Sequence, residues 1–172
     1  MDNKGFTLVE LLFVVVIIVI LAVIATRSWN SMVVKGNIEN QIRGIYADLT
    51  AIRTEAYQSK TARTVIINGT DFTQFNVYST ATTGGTIAPA WTKTLKYHMA
   101  TNTSNGLNPI KITFNAQGFG SASTNQSICV VPSGDVIDVN NAAVDSIIIS
   151  TAQISLGKRT GGDCAATNIT EK

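Results

Sequence analysis

From Phe6 to Ala25 the chain carries a single charge, Glu10, and from Leu11 to Ala25 it is one unbroken run of aliphatic and aromatic residues. A helix rises about 1.5 Å per residue, so these roughly twenty positions span about 30 Å, the thickness of a bilayer's hydrocarbon core. That segment excludes a purely cytosolic globular protein. The chain is not low-complexity either. Its 172 residues, 45% apolar and 14% charged, suffice for one domain with an appendage and exclude disorder of the whole.

A net charge of +2 is too small to point by itself to a nucleic-acid partner, so only a local cluster of cations could do so. The two cysteines, Cys129 and Cys164, form no C-x-x-C pair and fit no familiar metal spacing, so no metal or redox site is expected. An even pair beyond a membrane segment reads as one disulfide in an oxidising compartment. Closing a loop of roughly 34 residues, it would contribute on the order of 3 to 4 kcal/mol in the chain-entropy account.

A secretory signal would have a basic start, a shorter apolar stretch and small residues at its cleavage site. Here the polar leader Met1 to Gly5 stops abruptly before Phe6, no A-x-A pattern closes the apolar run, and Ala22 to Thr26 lead straight into a helical pattern. The anchor is therefore expected to persist in the mature chain.

The stretch Lys4-Gly5-Phe6-Thr7-Leu8-Val9-Glu10-Leu11-Leu12 resembles the class III leader of type IV pilins and type II secretion pseudopilins, whose pattern is a basic residue and glycine, then F-T-L-x-E-L. The resemblance implies that a prepilin peptidase of the bacterial inner membrane cuts between Gly5 and Phe6 and methylates the new amine of Phe6. It also implies that Glu10 meets the Phe6 amine of a neighbouring subunit in a helical filament. Physical chemistry likewise asks for a partner, because a carboxylate on a membrane helix costs roughly 2.5 to 3.5 kcal/mol. Charge counting does not orient the span, since Asp2 offsets Lys4 while Arg27 and Lys35 follow it. The periplasmic C-terminal domain, displayed at the cell surface when assembled in a pilus, is what the resemblance implies.

Helical periodicity continues beyond the apolar run. Ile38, Ile42, Ile45, Leu49, Ile52 and Ala56 recur at intervals of four and three, an apolar stripe along one face, and Glu39 and Arg43 lie four apart on the polar side. One helix is expected from about Phe6 to about Lys60, weakened at Gly36 and Gly44 by up to about 1 kcal/mol each. The expected organisation is a cleaved leader over 1–5, a transmembrane helix over 6–26, its amphipathic continuation over 27–61 and a periplasmic β-sheet domain over 62–172. The main structural subunits of the resembled family often carry a proline just after the span. Here Arg27 stands in that region and the first proline is Pro89, which leans toward a minor subunit.

From Thr64 the pattern becomes that of strands. The segments 64–67 and 71–78 flank Asn68-Gly69, a hairpin signal because both residues tolerate positive φ. Further strands are expected over 94–99, 110–115, 127–131, 136–139 and 146–150, with a continuation near 153–156. The fold class is α+β, a pilin fold in which a long N-terminal helix packs on a mostly antiparallel sheet. The order of Ile112 to Gly118, Ser127 to Val131, Ile147 to Ser150 and Ile154 to Arg159 is similar to that in the GspH/FimT group of pseudopilins and minor pilins.

No catalytic constellation stands out, and no cofactor is expected. The one histidine, His98, has no carboxylate or cysteine near it in sequence, and G-x-S-x-G, H-E-x-x-H and Walker patterns are absent. Lys158 and Arg159, with Lys111, make the one basic spot that could contact DNA. The second arginine of the GspH/FimT pattern is missing, because Thr160 and Gly161 follow Arg159. The resemblance implies a non-enzymatic minor pilin of a type IV pilus, partnered by other pilins and priming or capping the fibre. A minor pseudopilin of a type II secretion system is the alternative, and a single-span anchored periplasmic enzyme is the less favoured third. The leader leads to a first expectation: in a peptidase-positive host the mature chain begins at Phe6. Intact mass and N-terminal sequencing of membrane material check this, and retention of residues 1–5 would refute the leader.

Overall fold

The computed structural model describes residues 7–68, 72–81, 87–102, 109–120, 126–132 and 140–172, the side chains of 24–28 excepted. A single helix, α1, runs from Leu8 to Ser59. Thr7 caps it, its Oγ1 accepting the backbone N–H of Glu10 at 3.3 Å, and Lys60 ends it in the left-handed region at φ 54°. No proline interrupts those 52 residues, and the helix passes through Gly36 and Gly44 without a break. All six residues of the expected stripe, Ile38 to Ala56, are buried to 2% exposure or less.

Among the described residues, the remaining chain forms two antiparallel sheets. The first has β1 (Arg63–Asn68), β2 (Gln74–Tyr78), β3 (Trp91–Thr94) and β5 (Ile110–Phe114) in the order β3-β2-β1-β5. The second has β4 (His98–Thr101), β6 (Gln126–Val131), β7 (Ser146–Ile149), β8 (Ile154–Arg159) and β9 (Ile169–Glu171) in the order β4-β6-β7-β8-β9. Every described strand pair is antiparallel. Both sheets feed one core beneath the helix stripe: Val65, Ile67, Phe75, Ile112 and Phe114 from the first, Ile128, Val130, Ile147 and Ile149 from the second.

The hairpin expected at Asn68-Gly69 joins β1 to β2 with Asn68 opposite Gln74; Gly69 itself lies outside the described residues. The strand expected over 136–139 also lies outside them. The single strand expected over 94–99 is instead two strands in different sheets. Gln41 on α1 is the physical reason. Its Oε1 accepts the backbone N–H groups of Lys96 and Tyr97 at 3.0 and 2.9 Å, and its Nε2 donates to the Tyr97 carbonyl at 2.9 Å. Those backbone groups are thus satisfied by the helix rather than by a strand partner, and the chain changes sheets there. The stretch near 153–156 is a separate strand that extends to Arg159, and it receives the short β9 from the C-terminal tail. Glu39, expected on the polar side beside Arg43, accepts the Ala143 backbone N–H at 2.7 Å and so ties α1 to the segment before β7.

The second sheet is covered on both faces. Ile147 and Ile149 point into the main core, whereas Ile148 joins Cys129, Cys164 and Ile169 in a small cluster on the opposite face. This explains why residues 147–149 of β7 are consecutive isoleucines rather than an alternating pattern.

Candidate functional site

Among the described residues, the part of α1 before the stripe is exposed. Its large apolar side chains from Leu8 to Val23 are 48% to 82% exposed, and Trp29, Met32, Val33 and Val34 continue the bare surface toward the head. Among the described residues no helix is long and apolar enough to cross a membrane; the side chains of Ile24 and Ala25, which complete the apolar run, fall outside the description. A bare apolar surface of this extent is foreign to a soluble monomer and marks a region that binds something apolar.

Glu10 sits in the first turn of α1, the only acidic residue there. The N–H groups of that turn carry the positive end of the helix dipole, so a carboxylate is favoured at this position over any other along the apolar run. Gly5 and Phe6, expected to flank the processed bond, lie outside the described residues.

Cys129 on β6 and Cys164 in the tail are joined at an S–S distance of 2.05 Å, and both are fully buried. The bridge fastens the tail over the outer face of the second sheet. There the Ser127 hydroxyl donates to the Cys164 carbonyl, and Ile169 fills the space opposite Gly157, where any Cβ would overlap it. Gly157 is thus fixed by close approach of the tail.

Lys158 and Arg159 do not form an outward basic spot. Lys158 Nζ pairs with Asp145 Oδ2 at 2.8 Å and donates to the Asn140 carbonyl, leaving its side chain 20% exposed. Arg159 is fully buried, with Nη1 donating to the Gly162 carbonyl at 3.4 Å. Adjacent strand residues point to opposite faces, so the two cations enter different surroundings. Lys111 lies on β5, in the other sheet. The structure does not bring these three cations together: Asp145 holds Lys158, Arg159 is buried, and Lys111 stands in the other sheet.

The residue behind this arrangement is Asp145, which the sequence did not single out. Its carboxylate is fully buried and accepts from Lys158 Nζ, from the Ser146 hydroxyl at 2.6 Å and from the Arg159 backbone N–H at 2.8 Å. Three donors make a buried charge tolerable. Nothing in spacing marks it, because its partners are 13 residues away or more except for Ser146. The Thr7 cap could have been found from the T-x-x-E pattern of Thr7 and Glu10, which is a capping-box signature. His98 is half-buried on β4, and no group of three His, Cys, Asp or Glu among the described residues could hold a metal ion.

Comparison with known proteins bears on both ends of this geometry. Residues 1–26 match the family model for the prokaryotic N-terminal methylation motif. No curated protein sequence matches the chain. Among solved structures the chain resembles the type IV minor pilin FimU of Pseudomonas aeruginosa strain PAO1 in two crystal forms. One has a TM-score of 0.55 at 15% identity, covering 69% of this chain and 87% of that chain. The other has a TM-score of 0.54 at 17% identity, covering 69% and 90%. The fold is therefore that of a type IV minor pilin.

The Asp145 cluster gives a stability prediction. Asp145→Ala leaves Lys158 partly buried without its counter-charge and is expected to cost about 3 kcal/mol, the low end for a broken buried pair because Lys158 keeps some solvent. Chemical denaturation of the full chain in detergent measures it; an unchanged midpoint would contradict the assignment.

Proposed function

We propose that this chain, whose leader motif and fold support assignment to the type IV pilin/pseudopilin superfamily, is a minor pilin that assembles into a type IV pilus through α1 and primes or caps the fibre. The observation that carries the proposal is the bare apolar helix from Leu8 to Val23, joined without a break to a folded head. Lipid covers that surface while the chain waits in the inner membrane with its head in the periplasm. The helices of neighbouring pilins cover it in the fibre.

In this account the prepilin peptidase removes residues 1–5 and methylates Phe6, and the new amine gives Glu10 of an adjacent subunit its counter-charge. Magnitudes decide whether Glu10 prevents insertion. Roughly a dozen large apolar side chains at about 1.5 to 3 kcal/mol each favour burial by on the order of 20 kcal/mol. The roughly 2.5 to 3.5 kcal/mol attached to one carboxylate is small beside that. Glu10 is accordingly affordable in the membrane and useful in assembly.

Glu10→Val separates the two roles. Membrane insertion is expected to be unchanged or better, while incorporation into sheared fibres falls by tenfold or more. Incorporation equal to wild type would contradict the pairing. Loss of exoprotein secretion with normal piliation in a strain lacking the chain would move the assignment to a type II secretion pseudopilin.

A further inference from the structure

Beside the pair of Lys158 and Asp145 stands a carboxamide that the pair itself does not require. Asn140, in the segment before β7, is half-buried, and its Nδ2 is buried with no hydrogen-bond partner among the described residues. Its Oδ1 accepts the N–H of Ala142 at 3.0 Å and lies 3.3 Å from Lys158 Nζ. The same Nζ donates to the Asn140 backbone carbonyl at 2.5 Å and to Asp145 Oδ2 at 2.8 Å. An amine, a carboxamide and a carboxylate thus meet at one point.

The surroundings keep that point away from bulk water. Side chains alternate along β8, so Lys158 shares the face of Ile154 and Leu156, which pack on the main core. Ala142 and Val144 are buried in the same core, and Asp145 is fully buried. Groups held together in this way react as if at high concentration, provided that the reacting atoms lie within roughly 3 to 3.5 Å. Nζ is already at that distance from Oδ1, and the carbon it would attack is about 1.2 Å from that oxygen.

We propose that Lys158 and Asn140 join through an amide bond between Nζ and Cγ, with Asp145 moving the protons; the ion pair described above is the state before reaction. Asp145 takes a proton from the Lys158 ammonium and frees the lone pair of Nζ, which adds to Cγ. The negative charge that develops on Oδ1 is met by the Ala142 N–H, a donor already aimed at it. The Cγ–Nδ2 bond then breaks, and no hydrogen bond among the described residues holds Nδ2 back. Of the three Nζ protons, one stays on the new amide and two pass by way of Asp145 to the departing nitrogen, which leaves as ammonium. Asp145 ends as the carboxylate it began as, and nothing is oxidised or reduced. Glu39 already fastens this segment to α1 through the Ala143 N–H, so the bond would carry a pull on the helix covalently into β8. The proposal does not depend on the chain joining a fibre.

The test compares intact masses of the full-length chain, purified in detergent with its disulfide formed. Wild type is expected to be lighter by one ammonia than its sequence, processing and disulfide require, and Asn140→Ala, Lys158→Arg and Asp145→Ala are expected to show no such loss. Cleavage ahead of Asp138, Asp145 and Asp163 puts Asn140 and Lys158 on separate fragments, 138–144 and 145–162. These are expected to stay joined in wild type and to part in Lys158→Arg. A wild type of full mass overturns the proposal. So does a loss of ammonia with fragments that part, which would be closure of Asn140 onto its own backbone, and so does a loss that persists in Lys158→Arg. An Asp145→Ala chain that keeps its disulfide and still loses ammonia overturns the part given to Asp145.

Discussion

Water against the side chains from Leu8 to Val23 is the unfavourable contact that everything else in this chain is arranged to remove. The helix cannot fold back to bury them, because its own hydrogen bonds hold it continuous to Ser59 and the head already fills its core with the later stripe. Cover must come from outside, first from lipid and then from other helices in the proposed fibre. The two halves of α1 thus differ: the apolar surface of the second is buried on folding, and in the proposed function that of the first is buried later, on insertion and assembly.

The same continuity makes α1 the element through which the head is carried. Beyond the apolar stripe, polar side chains fasten the helix at separated points. Gln41 holds the crossing between the sheets, Asp48 pairs with Lys93 at 2.8 Å, and Arg53 donates to the carbonyls of Gly118 and Ala152 at 2.8 and 2.7 Å. The exposed pair contributes little by itself. The bonds to backbone carbonyls matter more for geometry, because they link the helix to loops of both sheets. On the far side Asp145 holds β8 and the disulfide holds the tail, so that the head has a fixed surface to present in the proposed fibre.

Much of this architecture is legible in the residues. The stripe from Ile38 to Ala56 has helical period, and a helix with one apolar face needs a sheet against it; the structure places all six side chains in the core. The pairing of Cys129 with Cys164 follows from there being two cysteines beyond an apolar anchor. The change of sheet between Thr94 and His98 was hidden, because it depends on one glutamine more than fifty residues upstream. The direction of Lys158 and Arg159 was hidden for a similar reason. Two adjacent cations after a strand look like a surface spot until a buried carboxylate just ahead of β7 takes one of them inward. The three-residue β9 was too short to carry any periodicity of its own.

In the proposed function the bare face of α1 exchanges lipid for the helices of neighbouring pilins. A photo-crosslinking amino acid at Ile17, 55% exposed in the isolated chain, tests it in living cells. The account predicts lipid adducts in membranes from a strain unable to build fibres, and adducts to another pilin in sheared fibres from a competent strain. A chain found in the soluble periplasmic fraction, or one whose position 17 crosslinks only within its own head, would contradict it.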